Sequence, residues 1–240
     1  MPPDFLLSIV ICHPGPIVQA RSDLWMSWCA KLSKYPNEHH NIVIHSVCIH
    51  PGPCTGVTYT RWGKRSCPST DGTQLVYAGR AGGSAYNSSG GGGGEILCLP
   101  LNPDYIDNPR ASSAAYFSVL HGGEYDTFDG PHNDLINENV PCAVCLASTR
   151  AAMIMFPAKT QCPTSWTREY YGYLMAEREN GVHFNQSSYT CVDVTPDTVS
   201  GEARDTAGTH FTYVIAACND GIPCPQYVAN RVLSCVVCTK

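Results

Sequence analysis

The chain has 240 residues, 43% of them hydrophobic and only 15% charged, against roughly 25% charged in an average domain. Its formal net charge of -5 and the absence of any basic run argue against nucleic acid or an anionic membrane surface as a partner. No stretch approaches the 18 or more consecutive apolar residues of a membrane-spanning helix.

The first part of the chain reads differently from the rest. Residues 1–54 hold four cysteines (Cys12, Cys29, Cys48 and Cys54), a short apolar run from Phe5 to Cys12, and His-Pro-Gly-Pro twice, at 13–16 and 50–53. They show no clear periodicity, and we read them as an N-terminal appendage, either a signal segment ending near Val18-Gln19-Ala20 or a disordered stretch.

From residue 55 onward, short β-prone runs alternate with Gly- and Pro-rich turns, which reads as an all-β fold. In chain order the expected strands are Gln74–Ala78, Ile96–Leu99, Ala115–Leu120, Ala143–Ala147, Met153–Phe156, Tyr170–Met175, Tyr189–Val194, His210–Ala216 and Val232–Val237. Arg168–Glu179 is the best helix candidate, but Tyr170, Tyr171 and Tyr173 favour a strand there. The run Gly90–Gly94 is read as a flexible loop.

Cysteine spacing is the strongest signal. Cys67-Pro68 recurs as Cys162-Pro163, Cys98 as Cys191, and Cys142-Ala143-Val144-Cys145 as Cys235-Val236-Val237-Cys238. The first step spans 31 and 29 residues in the two copies, and the second spans 44 in both. An apolar strand falls between, Ala115–Leu120 in one copy and His210–Ile215 in the other. These matches predict an internal duplication, with repeats at residues 55–149 and 150–240. The second repeat adds Cys218 and Cys224, separated by Asn-Asp-Gly-Ile-Pro, turn chemistry that brings two sulfurs together.

Ten cysteines beyond residue 54 can all pair with one another, and disulfides persist in oxidising compartments, so the chain is expected to be secreted and extracellular. Loops of this length closed by disulfides would each stabilise by roughly 3–4 kcal/mol through the unfolded state. Spacing alone does not choose the connectivity.

Other chemistries fit less well. The two Cys-x-x-Cys pairs lie too far apart for a zinc ribbon and lack the βαβ setting of a redox pair. The stretch from Glu124 through Asp126, Asp129, His132 and Asp134 to Glu138 has hard oxygen ligands without calcium-loop spacing, so a solvated acidic loop is the expectation. Gly82-Gly83-Ser84-Ala85-Tyr86 fails the nucleophile-elbow pattern, and the glycine run lacks the Gly-Lys-Ser/Thr of a phosphate loop. His121-Gly122-Gly123 matches an oxyanion loop only in isolation. No catalytic residue, metal ligand or cofactor is therefore assigned, and the chain is not read as an enzyme. Asn87-Ser88-Ser89 and Asn185-Gln186-Ser187 are glycosylation sequons at corresponding places in the two repeats, marking Asn87 and Asn185 as candidate acceptors.

The cysteine order, with Cys-Pro at the start, the six-residue step from Cys218 to Cys224 and a closing Cys-x-x-Cys, resembles the non-collagenous C-terminal domain of type IV collagen. Gly72-Thr73-Gln74-Leu75-Val76-Tyr77-Ala78-Gly79 after Cys67-Pro68 resembles its opening phrase. Thr160-Gln161-Cys162-Pro163-Thr164-Ser165-Trp166 followed by Tyr171-Gly172-Tyr173 resembles its mid-domain junction. Residues 56–240 are similar also to the C-terminal domain of spongin-type short-chain collagens. No Gly-X-Y run is present, so no collagen triple helix is encoded here.

The resemblance implies nested pairing: Cys67 with Cys145, Cys98 with Cys142, Cys162 with Cys238, Cys191 with Cys235, and Cys218 with Cys224. It implies two β-rich subdomains and a homo-oligomer, a trimer or hexamer, acting with other matrix components in extracellular networks. The function expected is that of an extracellular matrix structural module. The alternative is a soluble carbohydrate- or pattern-binding module, using the glycine-rich loop and the cluster of Trp166, Tyr170, Tyr171 and Tyr173 to bind glycans.

Overall fold

The computed structural model describes residues 28–30, 47–49, 56–87, 91–105, 117–179, 185–199, 208–218 and 221–240. The proposed signal segment, both His-Pro-Gly-Pro sequences, Ser88–Gly90 and Ala115–Tyr116 lie outside them. The chain divides into two compact units, Met1–Thr55 and Gly56–Lys240. In the first, strands β1 (Trp28–Ala30) and β2 (Val47–Ile49) pair antiparallel, with Cys29 opposite Cys48 in register.

The second unit is all-β. Its strands are β3 (Val57–Trp62), β4 (Thr73–Gly83), β5 (Leu97–Pro100), β6 (His121–Tyr125), β7 (Pro141–Ala147), β8 (Met153–Pro157), β9 (Thr167–Ala176), β10 (Thr190–Asp193), β11 (Thr209–Tyr213) and β12 (Ser234–Thr239). Among the described residues the helical content is one 3₁₀ turn, Asn133–Leu135. Arg168–Glu179 is thus a strand over most of its length, as its β-favouring tyrosines predict. No helix of the described residues is long and apolar enough to cross a membrane.

Two expectations need correction. Val57–Trp62 is a strand that the repeat boundaries obscured, although its β-branched and aromatic residues mark it plainly. Residues 117–120 of the expected strand Ala115–Leu120 are not in a strand; the strand begins at His121 instead. Phe117, Val119 and Leu120 are exposed, while the glycine-containing β6 is buried at its far end. Local propensity lost there to packing. A Cβ on Gly123 would come within 2.9 Å of both Ala81 and Phe211, so the tight fit selects glycine.

Strand pairing follows the same order in both halves. β3, β7, β4 and β5 lie side by side, with β6 joining β4; β8, β12, β9 and β10 lie side by side, with β11 joining β9. The registers agree too. Gly79 faces Cys142 as Gly172 faces Cys235, and Ala81 faces Cys98 as Leu174 faces Cys191. Each half has one β-bulge at the same place, where Val76 in β4 and Glu169 in β9 lack a partner. The two extra residues have different fates. Val76 is exposed, whereas Glu169 is buried and accepts hydrogen bonds from Tyr59 Oη (2.9 Å), Thr73 Oγ1 (3.2 Å) and Thr239 Oγ1 (2.6 Å). Three donors satisfy a carboxylate that burial would otherwise make costly.

The halves meet through two parallel pairings, β3 with β10 and β6 with β11. These close a circuit of seven strands, β3–β7–β4–β6–β11–β9–β10, back to β3. Both hydrophobic clusters draw on both halves. One includes Trp62, Tyr125, Met175, Val192 and Phe211; the other includes Tyr59, Cys145, Tyr170, Leu174 and Val237. Burying this apolar surface depends on the halves together, so they interlock as one body rather than standing as two subdomains with separate cores.

Five disulfides staple the unit: Cys67–Cys145, Cys98–Cys142, Cys162–Cys238, Cys191–Cys235 and Cys218–Cys224. These are the pairs the resemblance implies. Each lies within one half, so apart from the chain itself it is sheet and core, not disulfides, that join the halves among the described residues.

Candidate functional site: the seam between the halves and its open edges

At the first parallel contact, Val192 lies opposite Trp62. Beside it Arg61 of β3 reaches Asp193 of β10, its Nε donating to Oδ2 at 2.8 Å and its Nη2 lying 2.6 Å from the same oxygen. Asp193 also accepts from the backbone N–H and hydroxyl of Thr195, at 3.0 and 3.1 Å. The Tyr170 hydroxyl reaches across, 2.9 Å from the carbonyl oxygens of Thr60 and Cys191. Asp193 is buried and Arg61 half-buried; two guanidinium nitrogens hold one carboxylate oxygen while Thr195 holds the other, the setting in which ion pairs hold register.

At the second contact the parallel register puts His210 opposite Glu124. The His210 ring is buried and surrounded by carboxylates. Nε2 lies 3.3 Å from Glu124 Oε1, and Nδ1 lies 3.3 Å from Glu177 Oε1 and 3.7 Å from Asp126 Oδ2. The Tyr86 ring stacks on the imidazole at 4.2 Å. Arg178 stands 3.5 Å from Asp126, which also accepts from Thr212 Oγ1 at 3.1 Å. Burial works against charging His210, but contacts with Glu124 and Glu177 and the field of Asp126 outweigh it, pushing its pKa up to about 9. At neutral pH the ring is therefore an imidazolium that balances carboxylates contributed by both halves.

Two loops complete the seam. Asn185 donates from its backbone to Tyr86 O (3.0 Å) and from its side-chain amide to Ala85 O (2.8 Å). Tyr86 N–H donates to Gly208 O (3.0 Å). Ser84, Glu95, Glu177, Asn185, Ser187 and Thr209 line a small polar cavity of about 10 Å³, on the scale of one water. The arrangement is a polar lock, its charged groups paired with one another across the two halves.

The two sequons thus differ. Asn87 is exposed, whereas Asn185 is half-buried with its amide engaged. In protein secreted from a eukaryotic host, Asn87 should carry glycan and Asn185 should be largely bare in the folded fraction. Glycosidase treatment in heavy-oxygen water with peptide mapping reads this; full occupancy of Asn185 in folded protein would contradict it.

The sequence-marked residues sort as follows. Cys142, Cys145, Cys235 and Cys238 are fully buried, Cys98 and Cys191 nearly so, Cys67, Cys162 and Cys218 half-buried, and Cys224 exposed. The stretch 124–138 is not simply a solvated loop. Glu124 and Asp126 are buried in the seam, Asp129 and Asp134 are exposed, and His132 contacts Val194 O at 3.1 Å. Among the described residues no group of three or more His, Cys, Asp or Glu is arranged to hold a metal ion. His121-Gly122-Gly123 starts β6. Tyr170 is core, Tyr171 lies under the Arg168 guanidinium at 4.9 Å, and Tyr173 packs edge-on against Tyr213 and His132.

Sequence reasoning missed His210, Glu177, Glu169 and the Arg61–Asp193 pair. A signal existed for His210, a titratable residue at the start of an expected apolar strand. The expected strands Ile96–Leu99 and Met153–Phe156 form as β5 and β8; what was missed is that they end the sheet. β5 pairs only with β4 and β8 only with β12, leaving one backbone edge of each open among the described residues. Leu97 on β5 and Met153 and Ile154 on β8 are exposed, as are Leu101 and Tyr105 just past β5. No protein-family model matches this chain.

Proposed function

We propose that this chain is a secreted extracellular matrix module, built from two copies of one unit, that works by self-association rather than by catalysis. The observation that carries the reading is the pair of open edges. An edge strand offers unpaired N–H and C=O groups to a second chain, and here each edge also carries exposed apolar side chains. Both edges are short and end in proline, at Pro100 and Pro157, which favours a bounded assembly over unlimited strand addition. The matched pairing order, registers and bulges support descent of the halves from one duplicated unit. The five disulfides support an oxidising, extracellular setting. The resemblance to the collagen non-collagenous domain, and its trimer or hexamer, accords with the same reading.

The carbohydrate-binding alternative has less behind it. Tyr170 is core, its two tyrosine neighbours are engaged by Arg168, His132 and Tyr213, and the cavity beside the glycine run is small, about 10 Å³.

Replacing Met153 and Ile154 together by lysine puts charge on the β8 edge without touching the core. The double variant should keep its circular dichroism spectrum and raise the dissociation constant of self-association by about 100-fold, at ~1.4 kcal/mol per tenfold. Unchanged association by sedimentation equilibrium would remove β8 from the interface.

A further inference from the structure

The disulfides of this unit are not equivalent. In four of them at least one cysteine is buried in strand β5, β7, β10 or β12, and each closes a span of 44 to 78 residues. Cys218–Cys224 closes a span of 6, Cys224 is exposed and Cys218 only half-buried. Its surroundings are open: Gly221, Pro223, Pro225, Gln226 and Val228 are all exposed. Isolated bridges, Ile215 with Val232 and Ala216 with Ala229, tie this lobe to the sheet without help from the staple. The first half provides an internal control. It has no cysteine between Cys98 and Cys142, yet β6 pairs with β4 as β11 pairs with β9. Folding of the framework does not require a staple here.

We infer that Cys218–Cys224 is a thiol–disulfide exchange site, addressable by a dithiol reductant while the other four disulfides stay closed. Exchange needs a thiolate to approach a sulfur in line with the S–S bond, so access governs the rate. The exposed Cys224 sulfur is the one attacked. The incoming thiolate bonds to Cys224 Sγ, the S–S bond breaks, and Cys218 leaves as a thiolate that takes a proton from solvent. The reagent's second thiolate then attacks its own sulfur in the mixed disulfide, releasing Cys224 as a thiolate and closing the reagent's disulfide. Two electrons pass from the dithiol to the protein, leaving two thiols at the surface. The inference stands whether or not the chain self-associates.

The test uses the full-length secreted protein under native conditions with dithiothreitol as the probe. Timed samples are blocked with iodoacetamide and peptide-mapped by mass spectrometry. Cys218 and Cys224 should be alkylated at least ~10-fold faster than Cys67, Cys98, Cys142, Cys145, Cys162, Cys191, Cys235 or Cys238. The double variant Cys218→Ala/Cys224→Ala should lose that fast labelling and keep the wild-type circular dichroism spectrum. Labelling of another of these pairs first, or of all five together as the protein unfolds, would overturn the inference. So would failure of the double variant to fold, since the site must be dispensable to the framework.

Discussion

Replacing Gly172 by alanine is expected to abolish secretion of folded protein. In β9 this glycine faces Asp193 of β10 on one side and Cys235 of β12 on the other. The Cys191–Cys235 disulfide joins those two flanking strands, with Cα atoms 5.6 Å apart. Strands on either side of a third in a flat sheet stand roughly 9–10 Å apart. They come together here by closing over β9 where it has no side chain. A Cβ on Gly172 would sit 1.8 Å from Val192 O and 2.7 Å from Asp193 C and Val194 N, all backbone atoms of the crossing strand. Nothing there is a flexible side chain that can swing aside, so β10 must move, at the expense of its pairing with β9 and the covalent link to β12. We expect a loss of roughly 4 kcal/mol or more, at the extreme of single substitutions. Gly79→Ala meets Leu99 O at 2.1 Å beside the corresponding Cys98–Cys142 link and should behave the same way. Gly93→Ala, with nothing within 4 Å, is the matched control and should be neutral. The yield of folded secreted protein decides: Gly172→Ala secreted at the wild-type level and melting within about 2 °C of wild type would contradict this account of the crossing.

The second large effect is on pH dependence. His210 has a folded-state pKa of about 9, raised above its ordinary 6.5. A raised basic pKa means the folded chain holds a proton that the unfolded chain gives up. The resulting stabilisation is full below pH 6.5, falls as pH rises from 6.5 to 9, and is gone above. The two pKa values bracket about 3 kcal/mol, which in a unit of this size is a fall of about 6–12 °C in melting temperature across that window. The groups facing the ring are Glu124 and Asp126 from the β6 segment, Glu177 and Arg178 from the end of β9, and Tyr86 from its loop. His210→Gln removes the titrating group and leaves the carboxylates uncompensated. Its melting temperature should be lower at pH 6.5 and nearly flat to pH 9. A variant as stable as wild type at pH 6.5, with the same slope, would rule out His210 as the lock.

Both effects bear on what the sequence made legible. The cysteine spacing carried the framework, because cysteines separated by fixed intervals report paired positions whatever fills the loops. Short β-branched and aromatic runs carried most strands. The segment 115–120 misled because its nearly continuous apolar run looks like a core strand; in fact Phe117, Val119 and Leu120 are exposed. The strand beside it is built on glycine, where close approach decides and propensity does not. The seam was hidden for a related reason. Glu124, His210 and Asp193 are buried polar residues whose partners lie in distant segments, and only the parallel pairings of β6 with β11 and β3 with β10 bring them together. The open edges were equally out of reach, since a strand's second neighbour is a property of the sheet and not of the strand.

Self-association is tested most directly by the mass of the secreted chain in solution, measured by light scattering after size-exclusion chromatography in non-reducing buffer. A species of three or six times the 26.0 kDa chain, after correction for glycan, is the expected result. A single monomeric species at concentrations up to about 100 μM, where even weak association would register, would contradict an assembly role and leave the open edges without a second chain to meet.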